Sequence, residues 1–204
     1  MDITNELKNK QRRIGLTGGI ASGKSTITNY IKENKNIPIL DADTLSRELI
    51  QPNTIGYKKI LNYFGNQIID KKNSEQAINR KLLKNIIFKN KQDRQWIEKL
   101  LHPLIKKEII EKSIHYKNNE IILLVIPLLF EAKFDDICTE IWLVKCPRET
   151  QIKRLIKREK ISEEEAFKIV DLQLNFDEKT KFADVILDNS DDQKKWINKI
   201  KELI

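Results

Sequence analysis

Apolar and polar positions along the chain alternate between two spacings. Short runs with apolar interiors recur at Arg13-Ile14-Gly15-Leu16-Thr17, Pro38-Ile39-Leu40, Ile121 to Ile126, Glu140 to Lys145 and Ala183 to Leu187. Continuous apolar runs of this length mark strands of a parallel sheet buried on both faces. Between them the spacing changes to three and four: Leu82, Leu83, Ile86 and Ile87, then Trp96, Ile97, Leu100 and Leu101. That spacing predicts helix over much of Asn79 to Tyr116, preceded by a helix at Ile55 to Phe64. Pro103 interrupts the longest helical run, which places His102 at a kink or a helix junction. Other helices are expected at Thr26 to Lys32, at Thr44 to Ile50 before Pro52, after Pro147, from Ser162 toward Gln173, and at Gln193 to Leu203. Pro147 suits a first helical position, and Ser162-Glu163-Glu164-Glu165 has the spacing of a capping box. Strands alternating with helices predict an α/β chain of three layers around a central parallel sheet. The 204 residues are read as one folding unit. Its core is 13–50, 118–146 and 183–204, with a helical insertion at 51–117 and a helical lid at 147–182.

The first strand runs into Gly18-Gly19-Ile20-Ala21-Ser22-Gly23-Lys24-Ser25, a full match to G-x-x-x-x-G-K-[ST]. Between a strand and a helix, this motif binds the phosphates of a nucleoside triphosphate. Glycines let backbone N–H groups converge on phosphate oxygens, and the helix that continues through Thr26 adds the partial positive charge of its N-terminus. Lys24 is expected to reach the β- and γ-phosphates, and the Ser25 hydroxyl to ligate Mg²⁺. The second strand ends in Asp41-Ala42-Asp43, and a right-handed crossover puts that end on the edge of the sheet where the loop lies. Asp43 reads either as a helix N-cap or as a carboxylate facing a second substrate, and its place after the strand favours the latter. No Asp ends the run at Ile121 to Ile126, where a Walker-B ligand would stand. The metal is therefore expected to rest on Ser25, phosphate oxygens and water, with Asp41 joining through water. Late in the chain, Arg154 and Arg158 lie four apart on one helical face. The basic hairpin they belong to reads as a lid over the triphosphate, with a solvated charged helix as the alternative. Phosphoryl transfer depends mainly on positioning and charge stabilisation, and a lid that excludes water favours a kinase over a hydrolase.

Lys and Arg outnumber Asp and Glu by 38 to 30, for a formal net charge of +8. This suits phosphate-bearing ligands but does not by itself select among nucleic acid, an anionic surface and a small polyanion. No basic patch with interleaved aromatics supports nucleic acid. The longest apolar run, Ile121 to Phe130, is far shorter than the ~20 residues of a membrane span, and the polar first dozen residues carry no secretory segment. A cytoplasmic protein without nucleic-acid or membrane partners is expected, and a monomer in the absence of any feature that sets another state. Cys138 and Cys146 fit no zinc or redox spacing and should pack as small apolar groups. Two rivals stay open. One is another small kinase with the same loop, base and lid, acting on a nucleoside, nucleotide or sugar. The other is a GTP-dependent switch, since Asn90-Lys91-Gln92-Asp93 fits Asn-Lys-x-Asp, although no Asp-x-x-Gly lies between the loop and that tetrapeptide.

Beyond the phosphate loop, the chain carries Leu16-Thr17-Gly18-Gly19-Ile20, Asp41-Ala42-Asp43 with Arg47 and Glu48, Leu101-His102-Pro103-Leu104-Ile105, and Pro127-Leu128-Leu129-Phe130-Glu131. Arg154, Arg158, Gln173, Ala183-Asp184 and Asp188-Asn189 follow. In this order the stretches resemble the dephospho-coenzyme A kinases, from Ile14 to about Asn189. The resemblance implies ATP-dependent phosphorylation of the ribose 3′-hydroxyl of dephospho-CoA, the last step of coenzyme A synthesis, with Mg²⁺. It implies that Asp43 is the base for the acceptor hydroxyl, with Thr17 and Arg154 near the reacting phosphate. It further implies that Arg47, His102, Leu104 and Pro127 line the acceptor side, the helical insertion receiving the pantetheine end.

Overall fold

The computed structural model describes residues 11–70 and 76–204. Five strands, β1 (Arg12–Gly18), β2 (Ile39–Asp41), β3 (Ile121–Val125), β4 (Glu140–Lys145) and β5 (Val185–Asp188), form one sheet of order β2-β3-β1-β4-β5. Every pairing is parallel. The helices are α1 (Lys24–Asn34), α2 (Ala42–Glu48), α3 (Ile55–Phe64), α4 (Arg80–Lys89), α5 (Lys91–His115), α6 (Arg148–Glu159), α7 (Glu163–Asp171), α8 (Phe176–Thr180) and α9 (Gln193–Leu203). All five expected strands are present within a residue or two of their predicted limits. β1 is the middle strand, with Leu16 beside Val125 on one flank and Trp142 on the other.

The alternation of side chains along each strand divides the core. Ile14, Leu16, Leu123, Val125, Trp142, Val144 and Leu187 point to one face, under Ile27 and Ile31 of α1 and Trp196 and Ile200 of α9. On the other face, a Cβ on Gly15 would stand 2.5 Å from Cys138 Sγ and 2.8 Å from Leu129 Cδ1. Only a residue without a side chain lets the 127–139 segment lie that close to β1. Neither cysteine forms a disulfide, and both pack against their neighbours as expected. No helix among the described residues is long and apolar enough to cross a membrane.

The chain divides into two compact units, one comprising the residues up to Asp41 together with Lys112–Ile204, the other Ala42–Glu111. The second has its own core of Ile50, Tyr57, Ile60, Phe64, Ile68, Ile78, Leu83 and Ile97, with Tyr63 stacked on Trp96 at a centroid distance of 3.9 Å. Two sequence readings change here. Of the kink or junction expected at Pro103, the junction does not occur, because α5 runs through it. The missing Pro N–H leaves the carbonyl of Lys99, four residues back, without its helical donor. The break falls instead at Asn90, whose Oδ1 accepts from the backbone N–H groups of Gln92 at 2.8 Å and Asp93 at 3.3 Å. The Asn-Lys-x-Asp stretch is thus a helix start, with Asn90 occupied as its cap and Asp93 Oδ1 accepting from Tyr63 Oη at 3.1 Å. It is not a guanine reader.

Burial pushes the His102 imidazole below its usual 6.5, and the Glu98 carboxylate opposes that only in part. With the folded value lowered, the unfolded chain binds the proton more readily, so stability rises with pH across the interval between the two values. The loss on acidification therefore begins near pH 6.5. Thermal melts between about pH 8 and 5 should show a shallower decline for His102→Gln than for the parent chain just below pH 6.5. Parallel curves would show that His102 does not carry this dependence.

Candidate active site

The residues expected to hold the donor, Gly18 to Thr26 with Arg154, lie within the first unit. β1 ends at Gly18, and α1 opens at Lys24 with Gly23 at its N-cap, a residue with no side chain to cap the helix. The first turn, Lys24-Ser25-Thr26, contains no acid. No side chain caps this end of the helix, which therefore turns the positive end of its dipole toward an anion. Gly23 has φ +100°, and a Cβ there would collide with the Asn189 amide. Ala21, at φ 56°, is a non-glycine residue in the left-handed region, a strain of order 1–3 kcal/mol that the surroundings must hold. They do so through apolar contact: Ile20 and Ala21 pack against the cluster of Ile152, Leu155 and Ala166 contributed by α6 and α7.

Lys24 folds back over the loop, its Nζ donating to Gly18 O at 2.6 Å and Gly19 O at 2.8 Å. Arg154 reaches the same place from α6. Its Nη1 lies 3.6 Å from the point a Gly23 Cβ would occupy, and 3.6 Å from Cys146 Sγ. Burial pushes the Cys146 thiol up, outweighing the opposing pull of Arg154, which keeps the neighbour of that guanidinium neutral. Arg158, one turn on, is exposed and pairs with Glu159 Oε1 at 3.0 Å. Of these two arginines of α6, Arg154 is the one brought to the loop. Thr17 is fully buried, and its hydroxyl donates to Pro127 O at 3.3 Å. That bond joins two expected site residues, with the threonine proton directed at the carbonyl.

Asp41 closes β2 opposite Val125, which stands opposite Leu16, so these three residues are in register at the carboxyl ends of adjacent strands. Asp43 follows two residues later and belongs to the second unit. It is exposed in the first turn of α2, inside the helix, so the N-cap reading does not hold. Arg47, four residues on, shares its helical face and is also exposed. His102 and Leu104, both half-buried, sit either side of Pro103 on α5.

Sequence reasoning missed three loop supports. Asn189 is buried at 5 % exposure, donates from Nδ2 to Ser22 O at 2.8 Å and accepts from Trp196 Nε1 at 3.2 Å. It braces the loop against α9. Gln151 lies against Gly19 and donates to Cys146 O at 2.9 Å. Gln173 accepts from the Ile20 N–H at 2.7 Å. The Asp188-Asn189 pair and Gln173 stand in the stretches that resemble the family, but nothing local in their sequence names a partner so far away.

A uncapped phosphate loop with a lysine and an arginine converging on it is common to many nucleotide-dependent enzymes. The family model for dephospho-CoA kinase matches residues 12–195. The chain belongs to the dephospho-CoA kinase family. A dephospho-CoA kinase of Prochlorococcus marinus (strain MIT 9312) is 73% identical over 100% of both chains. The structure of dephospho-CoA kinase from Campylobacter jejuni superposes with a TM-score of 0.68 at 29% identity, covering 94% of this chain and 96% of that one. TT1252 from Thermus thermophilus gives 0.77 at 24% identity over 96% and 97%, a likeness of fold. As a member of this family, the chain is an ATP-dependent kinase acting in the final step of coenzyme A synthesis.

Proposed function

We propose that this chain transfers the γ-phosphoryl group of ATP to the 3′-hydroxyl of the ribose of dephospho-CoA, with Gly18 to Thr26 holding the donor and Asp43 serving the acceptor. The observation that carries the donor half is the convergence of Lys24 and Arg154 on an uncapped helix N-terminus. Backbone N–H groups of the loop bind the β-phosphate region, and Lys24 turns from the Gly18 and Gly19 carbonyls to the β- and γ-oxygens. Arg154 neutralises charge spread over the transferred group, a role worth ~10³–10⁵ in rate for arginines so placed. Arg158, released from Glu159, adds charge at the lid. Asp43 accepts the proton of the 3′-hydroxyl as its oxygen attacks, while Arg47 pairs with acceptor phosphate and His102, Leu104 and Pro127 contact the rest of the acceptor. Thr17 either keeps its bond to Pro127 or turns its hydroxyl to the reacting phosphate.

The donor set suits Mg²⁺. Ser25 is exposed in the first turn of α1 and Asp41 ends β2, and both offer hard oxygen. Among the described residues no three His, Cys, Asp or Glu side chains gather as a metal cage, and Mg²⁺ takes only one or two protein ligands beside phosphate and water. Ser25, and Asp41 through water, would hold the ion, which would lower the charge of the donor phosphates. We read the chain as a cytoplasmic monomer whose ligands are these two small molecules.

The test is a coupled ADP-release assay with ATP and Mg²⁺, offering dephospho-CoA, AMP, adenosine, common sugars or no acceptor, followed by phosphorus NMR of the product. Turnover confined to dephospho-CoA, abolished by EDTA and yielding a ribose 3′-phosphomonoester, is expected. Equal turnover with another acceptor, phosphate on another oxygen, or full activity in EDTA would each remove the corresponding part of the reading.

A further inference from the structure

The lid hairpin ends at α7, and two of the next three residues are held from opposite sides. Gln173 turns its side chain inward, its Oε1 accepting from the Ile20 N–H of the phosphate loop at 2.7 Å. The next residue, Leu174, turns its backbone N–H to Glu131 Oε1 at 3.1 Å. Glu131, the last residue of the Pro-Leu-Leu-Phe-Glu stretch after β3, has no part in the donor and acceptor chemistry above. The same Oε1 lies 2.9 Å from Nζ of Lys179, a side chain only 1% exposed on α8. That pair is close in distance but off the hydrogen-bond direction, so Lys179 Nζ and Glu131 Oε2 remain without hydrogen bonds among the described residues.

A lysine buried to this degree is held there by its partner, since an unpaired charge in that place is strongly destabilising. Lys179 therefore fixes Glu131, Glu131 fixes the Leu174 amide, and the peptide that carries Leu174 is bonded to Gln173. Leu172 and Leu174 are themselves half-exposed, at 50% and 42%, so apolar burial does little to set this segment. Polar contacts set it instead. At the other end of the chain of contacts, Ile20 and Ala21 are already gripped through their side chains by the α6–α7 cluster. The bond from Gln173 adds a grip on the backbone at the tip of a loop that holds Ala21 in the left-handed region.

We propose that Gln173 is a positioning residue for the phosphate loop, and that the Glu131–Lys179 pair is the anchor that aims it. The proposal rests on the reading of Gly18 to Thr26 as the donor site. Through this latch, order at the C-terminal end of the lid and the shape of the loop tip stabilise one another. The residue touches no reacting atom in this scheme, and its effect is on how well the loop is formed when ATP arrives.

Steady-state kinetics of Gln173→Met, Glu131→Gln and the double variant test it, with Lys24→Ala as reference. Gln173→Met keeps the bulk of the side chain and removes the acceptor. It should raise KM for ATP about five- to tenfold, the size of effect that follows from losing one hydrogen bond, with kcat and KM for dephospho-CoA changed less than about twofold. Glu131→Gln keeps an oxygen for Leu174 but loses the charge that holds Lys179, and should raise KM for ATP in the same direction. Because both act through one latch, the double variant should fall clearly short of the product of the two single effects. An unchanged KM for ATP in Gln173→Met, or equal changes in both KM values, would overturn the positioning role; effects of the two sites that multiply would overturn the anchor. If Lys24→Ala has lost transfer while Gln173→Met behaves as the parent, the latch fails and the donor site stands. If Lys24→Ala turns over normally, the donor site itself fails.

Discussion

Lys24→Ala is expected to lower kcat/KM by at least about 10³-fold. Two losses coincide at this residue. The charged donor proposed for the β- and γ-oxygens is removed, and one such donor is worth ~10²–10³ in a water-excluded site. The bonds from Nζ to Gly18 O and Gly19 O also go, so the loop loses a tie between its first two residues and the start of α1. Stability should change little, because Lys24 is only half-buried and the loop is also held by Asn189 and by the α6–α7 cluster. Rapid-quench measurement of a single turnover separates transfer from product release, and a burst close to that of the parent would remove the loop from the mechanism.

Asp43→Asn should lower kcat by at least ~10², the low end for a positioned general base, and leave KM for ATP nearly unchanged. Asparagine keeps the size and much of the hydrogen bonding of the side chain while giving up its basicity. The position has a second, smaller role: a carboxylate in the first turn of α2 interacts favourably with the helix dipole, worth about 0.3–1 kcal/mol at an exposed site. The two roles separate in measurement. A melting temperature lowered by a degree or two beside a collapse in kcat supports catalysis, whereas the same small shift with full turnover would reduce Asp43 to a helix-start residue.

What could be read from the sequence is what short stretches determine by themselves. The runs that became β1 to β5 are too apolar for any solvated setting, and the Gly23-Lys24-Ser25 ending makes sense only before a helix. Ser162 with Glu165 and the span Gln193 to Leu203 were also legible, since capping and amphipathic spacing are local; the structure shows the capping box in both directions. Pro103 misled because a proline costs a helix one bond, and a 25-residue helix with apolar residues such as Ile97, Ile105 and Ile109 buried along it has enough packing to offset that. Asn90 left a rival in play because four residues fit two jobs, and only their surroundings show Oδ1 committed to two N–H groups. Asn189, Gln173 and Lys179 were beyond reach for a different reason. Their partners Ser22, Ile20 and Glu131 are 167, 153 and 48 residues away in sequence, and no spacing rule spans such distances.

The Asn189 brace has a consequence for the order of events as the polypeptide is made. The amide that clasps Ser22 leaves the ribosome 167 residues after it, and the indole that steadies that amide 7 residues later still. Until Trp196 has emerged and its helix can settle against the sheet, the loop is without its backstop. A nascent fragment cut short before Trp196 therefore has the motif without the grip.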